Sequence, residues 1–96
     1  MKTRSNRALK RHQISEGSIK KAIGNTSDSM WATLTRKGFG TFSSSHEILG
    51  VIMEEVDELR CAVHDNNVGQ IRDELFDIAV AAIFATACLD ENKVDW

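Results

Sequence analysis

Five carboxylates in the middle of this 96-residue chain are spaced for joint chemistry. Glu54, Glu55 and Glu58 precede an Asn-Asn-Val-Gly break, and Glu74 and Asp77 follow it. If the break is a turn between two helices centred on Asn66, positions mirrored about 66 come level. Glu58 then faces Glu74, and Glu55 faces Asp77. Glu55 and Glu58 are three apart, as are Glu74 and Asp77, so each pair shares one helix face. Four carboxylates from two antiparallel helices converge at one height. Unpaired, they repel, and one must protonate. Beside apolar residues each also carries a desolvation cost. A bound divalent cation removes both penalties. All-oxygen ligands suit a hard ion, Mg²⁺ with Mn²⁺ as a substitute, rather than zinc. A di-iron bundle site needs Glu-x-x-His on two helices, and no such pair occurs. The competing reading is two solvated helix faces rich in acid.

The elements that must hold these residues are legible as helices. Ser44 with Glu47 three residues on forms a capping box that opens a helix running to about His64. Its apolar stripe is Ile48, Ile52, Val56, Leu59 and Val63. At about 100° per residue, Glu55 falls inside the apolar sector and Glu58 beside it, with Glu54 further towards solvent. Asn67 caps the next helix, with Gln70 at the matching position. Val68, Ile71, Leu75, Ile78 and Ala82 define one face, and Glu74 lies on its edge. From Ile78 to Leu89 no side is polar, so this helix must be buried all round. Three helices of one small chain cannot do that. The expectation is an all-α antiparallel helical bundle completed by oligomerisation.

Upstream, Ile19, Ile23, Met30 and Leu34 mark a helix over residues 16–37, with a possible break at Gly24–Ser29 and an end at Gly38 and Gly40. Residues 1–15 read as a basic N-terminal arm and 16–96 as the helical domain. Residues 1–13 hold five Lys/Arg and no acid. They are either a solvated arm or a contact to phosphate or a neighbouring subunit. Charge is segregated: residues 1–43 carry nine Lys/Arg and two Asp/Glu, residues 44–96 three and twelve. That balance excludes a simple basic nucleic-acid binder and permits an acidic metal site beside a phosphate-attracting element. No signal peptide is visible and the longest apolar run is too short to span a bilayer. Cys61 and Cys88 lack metal-type spacing and read as reduced thiols in a cytoplasmic protein. Trp31 is spaced for core packing with Leu34; base stacking is the alternative for it and for Phe39 and Phe42. His46 and His64 project to the polar side of their helix.

Glu54-Glu55-Val-Asp-Glu58 followed by Glu74-Leu-Phe-Asp77 resembles the EExxE…ExxD signature of the MazG-like all-α nucleoside triphosphate pyrophosphatases. Phe39-Gly-Thr-Phe42 resembles the aromatic element that precedes the first acidic helix in many relatives. The resemblance covers about Phe39 to Leu89, roughly half the chain. It implies a bundle that forms a homodimer or homotetramer. It implies Mg²⁺-dependent cleavage of a nucleoside triphosphate, expected here to be a dNTP, to the monophosphate and pyrophosphate. Carried over, Glu55, Glu58, Glu74 and Asp77 are the metal ligands, and Glu54 or Glu55 takes the proton of the attacking water. Many relatives continue with another helix whose lysine and asparagine contact phosphates. Here only Asp90–Trp96 remain, with Lys93 the sole base. Phosphate contacts then fall to Arg36 and Lys37, with Lys20 and Lys21 as further candidates, or to the other subunit, and the remaining substrate contacts to Trp31, Phe39 and Phe42. Phosphoribosyl-ATP pyrophosphohydrolase is a sister reading. The rival from another class is a non-catalytic helical module whose basic arm binds an acidic partner or nucleic acid and whose acids serve only solubility.

Overall fold

The structure, a computed structural model, describes residues 11–96. The basic arm read over residues 1–15 therefore lies mostly outside the described residues. Three helices follow in order: α1 (Glu16–Lys37), α2 (Ser45–His64) and α3 (Val68–Asp90). Among the described residues there is no strand, only an isolated bridge between Ser44 and Asp95. The fold is all-α.

Side chains define where each helix starts. Ser15 caps α1 by accepting from the Ser18 N–H, Ser44 caps α2 from Glu47, and Asn67 caps α3 from Gln70. Glu47 completes its box one residue early, accepting from the backbone N–H and hydroxyl of Ser43. α1 runs unbroken through Gly24–Ser29. Asn25, Thr26, Ser27 and Ser29 are half-buried, and the Thr26 hydroxyl donates to the Ala22 carbonyl at 2.9 Å. Packing and this internal bond outweigh the weak helix propensity of the stretch.

The chain reverses between α2 and α3 at Asn66, whose φ of 56° is left-handed. Asparagine tolerates that region better than other side-chain-bearing residues. The Asn66 N–H bonds to the Val63 carbonyl and the Asn67 N–H to Ala62, at 3.1 and 3.0 Å. This pair of bonds closes the last turn of α2. α3 ends in the same way, with Asn92 at φ 57° and the Lys93 N–H on the Cys88 carbonyl. α1 stops at Gly38, φ 92°, whose N–H meets the Leu34 carbonyl at 2.7 Å.

α2 and α3 form an antiparallel hairpin, and α1 lies against α3. The loop between α1 and α2 is tied down twice. Phe42 meets Phe84 of α3 edge-on at 5.9 Å between ring centres. Backbone bonds join Ser43 and Ser45 to Asp95 of the tail. Among the described residues the buried apolar side chains are Leu34, Ala62, Ala85 and Cys88, a very small interior. No described helix is long and apolar enough to cross a membrane.

Candidate metal centre

The reversal at Asn66 brings the two acidic helix faces together. Oxygens of Glu55, Glu58 and Glu74 lie within 4.8 Å of one another. Glu74 is the deepest, 5% exposed, and its Oε1 is buried without a hydrogen-bond partner. Its other oxygen accepts from the Gln70 side-chain amide one turn earlier. Glu55 is half-buried and Glu58 exposed. The Glu55 carboxyl is raised from 4.5 to about 7, first by burial and then by a hydrogen bond shared with Glu58. The charges of Asp77, Glu58 and Glu74 add to that rise. Three converging carboxylates, one of them buried with an unpartnered oxygen, fit a hard divalent cation. An orphaned buried carboxylate oxygen is otherwise costly.

Asp77 stands outside this close triad. It is exposed, acts on Glu55 through its charge, and lines a groove with it. That groove, about 520 Å³, is walled by Met30 and Leu34 of α1, Val51 of α2, and Val80 and Phe84 of α3. Arg36, Lys37 and Phe42 line the same space. It thus has a basic rim from the end of α1, an apolar wall, and two carboxylates at one end. A smaller cleft of about 380 Å³ adjoins it towards the turn, lined by Glu54, Asp57, Glu58, Asp65 and Glu74 with Cys61, Asn67 and Gln70. The four level carboxylates straddle the boundary: Glu55 and Asp77 open to the groove, Glu58 and Glu74 to the cleft.

The expected substrate residues divide. Arg36, Lys37 and Phe42 stand with the acids. Trp31 and Phe39 pair with each other, ring centres 6.3 Å apart, and do not line the groove. Trp31 is 54% exposed, so it does not fill the core as its spacing with Leu34 suggests. Glu54 sits in the cleft, away from Arg36 and Lys37. His46, His64 and Cys61 are exposed, and both cysteines are free thiols. Sequence reasoning missed Gln70, which holds Glu74, and Phe84, which holds Phe42. The i, i+4 spacing of Gln70 and Glu74 was the available signal for the first; nothing local marks the second. No protein-family model matches this chain, and neither does any curated protein or solved structure.

Proposed function

We propose that the chain is a Mg²⁺-dependent nucleoside triphosphate pyrophosphatase, acting as a homodimer or larger assembly. The observation that carries the reading is Glu74, buried with one oxygen left unpartnered, clustered with the carboxylates of Glu55 and Glu58. The groove supports it: a nucleoside triphosphate needs an apolar wall for its base and cations for its phosphates, and both adjoin the acids. The EExxE…ExxD pattern, with its MazG-like resemblance, is the third support.

In this reading Glu55, Glu58 and Glu74 hold the ion, with Asp77 completing the set from the groove side. Bound Mg²⁺ would polarise the phosphate and lower the pKa of the attacking water. Glu55 opens to the groove, on the side where the substrate phosphates would lie, which makes its carboxylate the more direct candidate to accept the water's proton at the α-phosphorus. Glu54, in the neighbouring cleft, is the less direct candidate. Arg36 and Lys37 offset the charge on the departing pyrophosphate. Phe42, fixed by Phe84, presents an aromatic surface to the base.

Turnover of a panel of NTPs and dNTPs with Mg²⁺ in ¹⁸O-labelled water tests this. The expected products are monophosphate carrying the label and unlabelled pyrophosphate. Label in pyrophosphate means attack at the β-phosphorus, and release of single phosphates means a phosphatase; either defeats the proposal. No turnover, with no thermal stabilisation by Mg²⁺ and dNTP together, favours the non-catalytic helical module.

A further inference from the structure

Trp31 and Phe39 are large aromatic side chains beside the groove that the proposed reaction leaves unused. They are 54% and 64% exposed, with ring centres 6.3 Å apart and planes at 46°. Residues on both sides of them in sequence turn into the groove: Met30 and Thr33 around Trp31, Gly38 and Gly40 around Phe39. The pair therefore stands on the outer rim. Phe42, three residues past Phe39, lines the groove against Phe84. Three residues of chain reach about 10 Å at most, so the rim pair lies next to Phe42. Phe84 follows Asp77 on α3 by about two helical turns. The acids thus occupy one end of the groove, and Phe42 with the rim pair the other. A Cβ built on Gly38 or Gly40 would meet nothing within 4 Å, so the loop joining the two aromatic sites is not packed over by other described residues.

We infer that the groove and the rim pair together hold the 5′ end of a single-stranded oligonucleotide, so that the substrate class extends from free nucleoside triphosphates to 5′-triphosphorylated strands. For its chemistry the inference rests on the pyrophosphatase reading. The first base lies on Phe42 and the triphosphate points to the acids. The 3′-oxygen leaves the sugar on the side away from the 5′-phosphates, towards the rim. The second base then meets Trp31 and Phe39. Exposed aromatic rings beside cationic side chains hold single strands by stacking, without reading sequence. Arg36 and Lys37 supply the cations: they lie between Trp31 and Phe39 in sequence and line the groove. Charge complementarity selects this occupant, because the part of the chain that carries the rim pair, residues 1–43, has nine Lys/Arg against two Asp/Glu. Only the 5′ end is held, so no continuous basic track is needed. Water attacks the α-phosphorus and the bond from it to the oxygen bridging the β-phosphorus breaks. Pyrophosphate leaves, the strand keeps a 5′-monophosphate, and Glu55 takes the proton as it does with a free nucleotide.

The test gives the native protein, with Mg²⁺, a nucleoside triphosphate (pppN) and the matching dinucleotide with a 5′-triphosphate (pppNpN). The dinucleotide should show a kcat/KM about tenfold higher, the worth of one further stacked base. Trp31→Ala should remove that advantage and leave pppN turnover unchanged. In a Trp96→Phe background Trp31 is the remaining tryptophan, and its emission should be quenched by the product pNpN but not by pN. Equal kcat/KM for the two substrates, in an enzyme that turns over pppN, overturns the inference and leaves the pyrophosphatase reading standing. Parallel loss of both activities in Trp31→Ala overturns it too. So does Trp31 emission that ignores pNpN, or that changes on dilution of the protein alone, which marks the pair as covered by a second copy. No turnover of either substrate defeats the pyrophosphatase reading instead, and quenching by pNpN then decides the two-base site alone.

Discussion

Metal-free protein should lose stability as pH rises from about 4.5 to about 7, and Glu55 is the cause. In the unfolded chain its carboxyl ionises at the ordinary value of 4.5; in the fold it holds its proton to about 7, because burial, the bond to Glu58 and the charges of Asp77, Glu58 and Glu74 all disfavour the carboxylate. The folded state therefore binds a proton more tightly than the unfolded state. The contribution is fully present below 4.5, falls through the interval, and is gone above 7. The difference, 7 − 4.5 = 2.5 pH units, corresponds to about 3.4 kcal/mol at ~1.36 kcal/mol per unit, and partial exposure of Glu55 trims it to about 2–3 kcal/mol. For a domain of this size that is a fall in Tm of roughly 10 °C or more. Thermal melts at pH 5 and pH 8, at fixed protein concentration and with a chelator present, read it directly. Glu55→Gln should remove most of the slope. Saturating Mg²⁺ should flatten it too, since a cation stabilises the ionised cluster at high pH. Equal stability at both pH values, or an unchanged slope in Glu55→Gln, would refute the electrostatic account of the cluster.

Two further outcomes follow from the same geometry. Asp77→Asn keeps the side-chain shape and removes one repelling charge from Glu55; it should abolish turnover, match or exceed native stability without metal, and lose the Mg²⁺ response in thermal melts. Arg36→Gln and Lys37→Gln should raise KM several-fold at low salt with little change in metal-free stability, and the effect should shrink as salt screens the exposed groove rim.

Much of the hairpin was legible because its signals are local. Ser44 and Asn67 mark helix starts by side-chain chemistry, and Asn66 reverses the chain in a conformation its residue type tolerates. With the turn fixed, mirror counting puts Glu58 against Glu74, and the structure agrees. The depth of Glu74 was harder to see. Its place at the edge of an apolar stripe did not reveal 5% exposure, which depends on how closely α2 packs. The path of the loop between α1 and α2 was not legible at all. Phe39 and Phe42 are three residues apart, yet one turns to Trp31 and the other to Phe84, a choice made by tertiary packing. The apolar run from Ile78 to Leu89 promised a helix buried all round, but in the single chain Ile83 and Leu89 stay about half exposed.

The central claim is that Glu55, Glu58 and Glu74 hold a divalent cation, and Mn²⁺ titration followed by electron paramagnetic resonance tests it most directly. The free-ion signal should fall in proportion to added native protein, and Mg²⁺ should restore it by competition. Glu74→Gln, which neutralises the buried oxygen pair while keeping its shape, should leave the free-ion signal nearly intact. An undiminished signal with native protein at millimolar Mn²⁺, or equal binding by Glu74→Gln, would contradict the account.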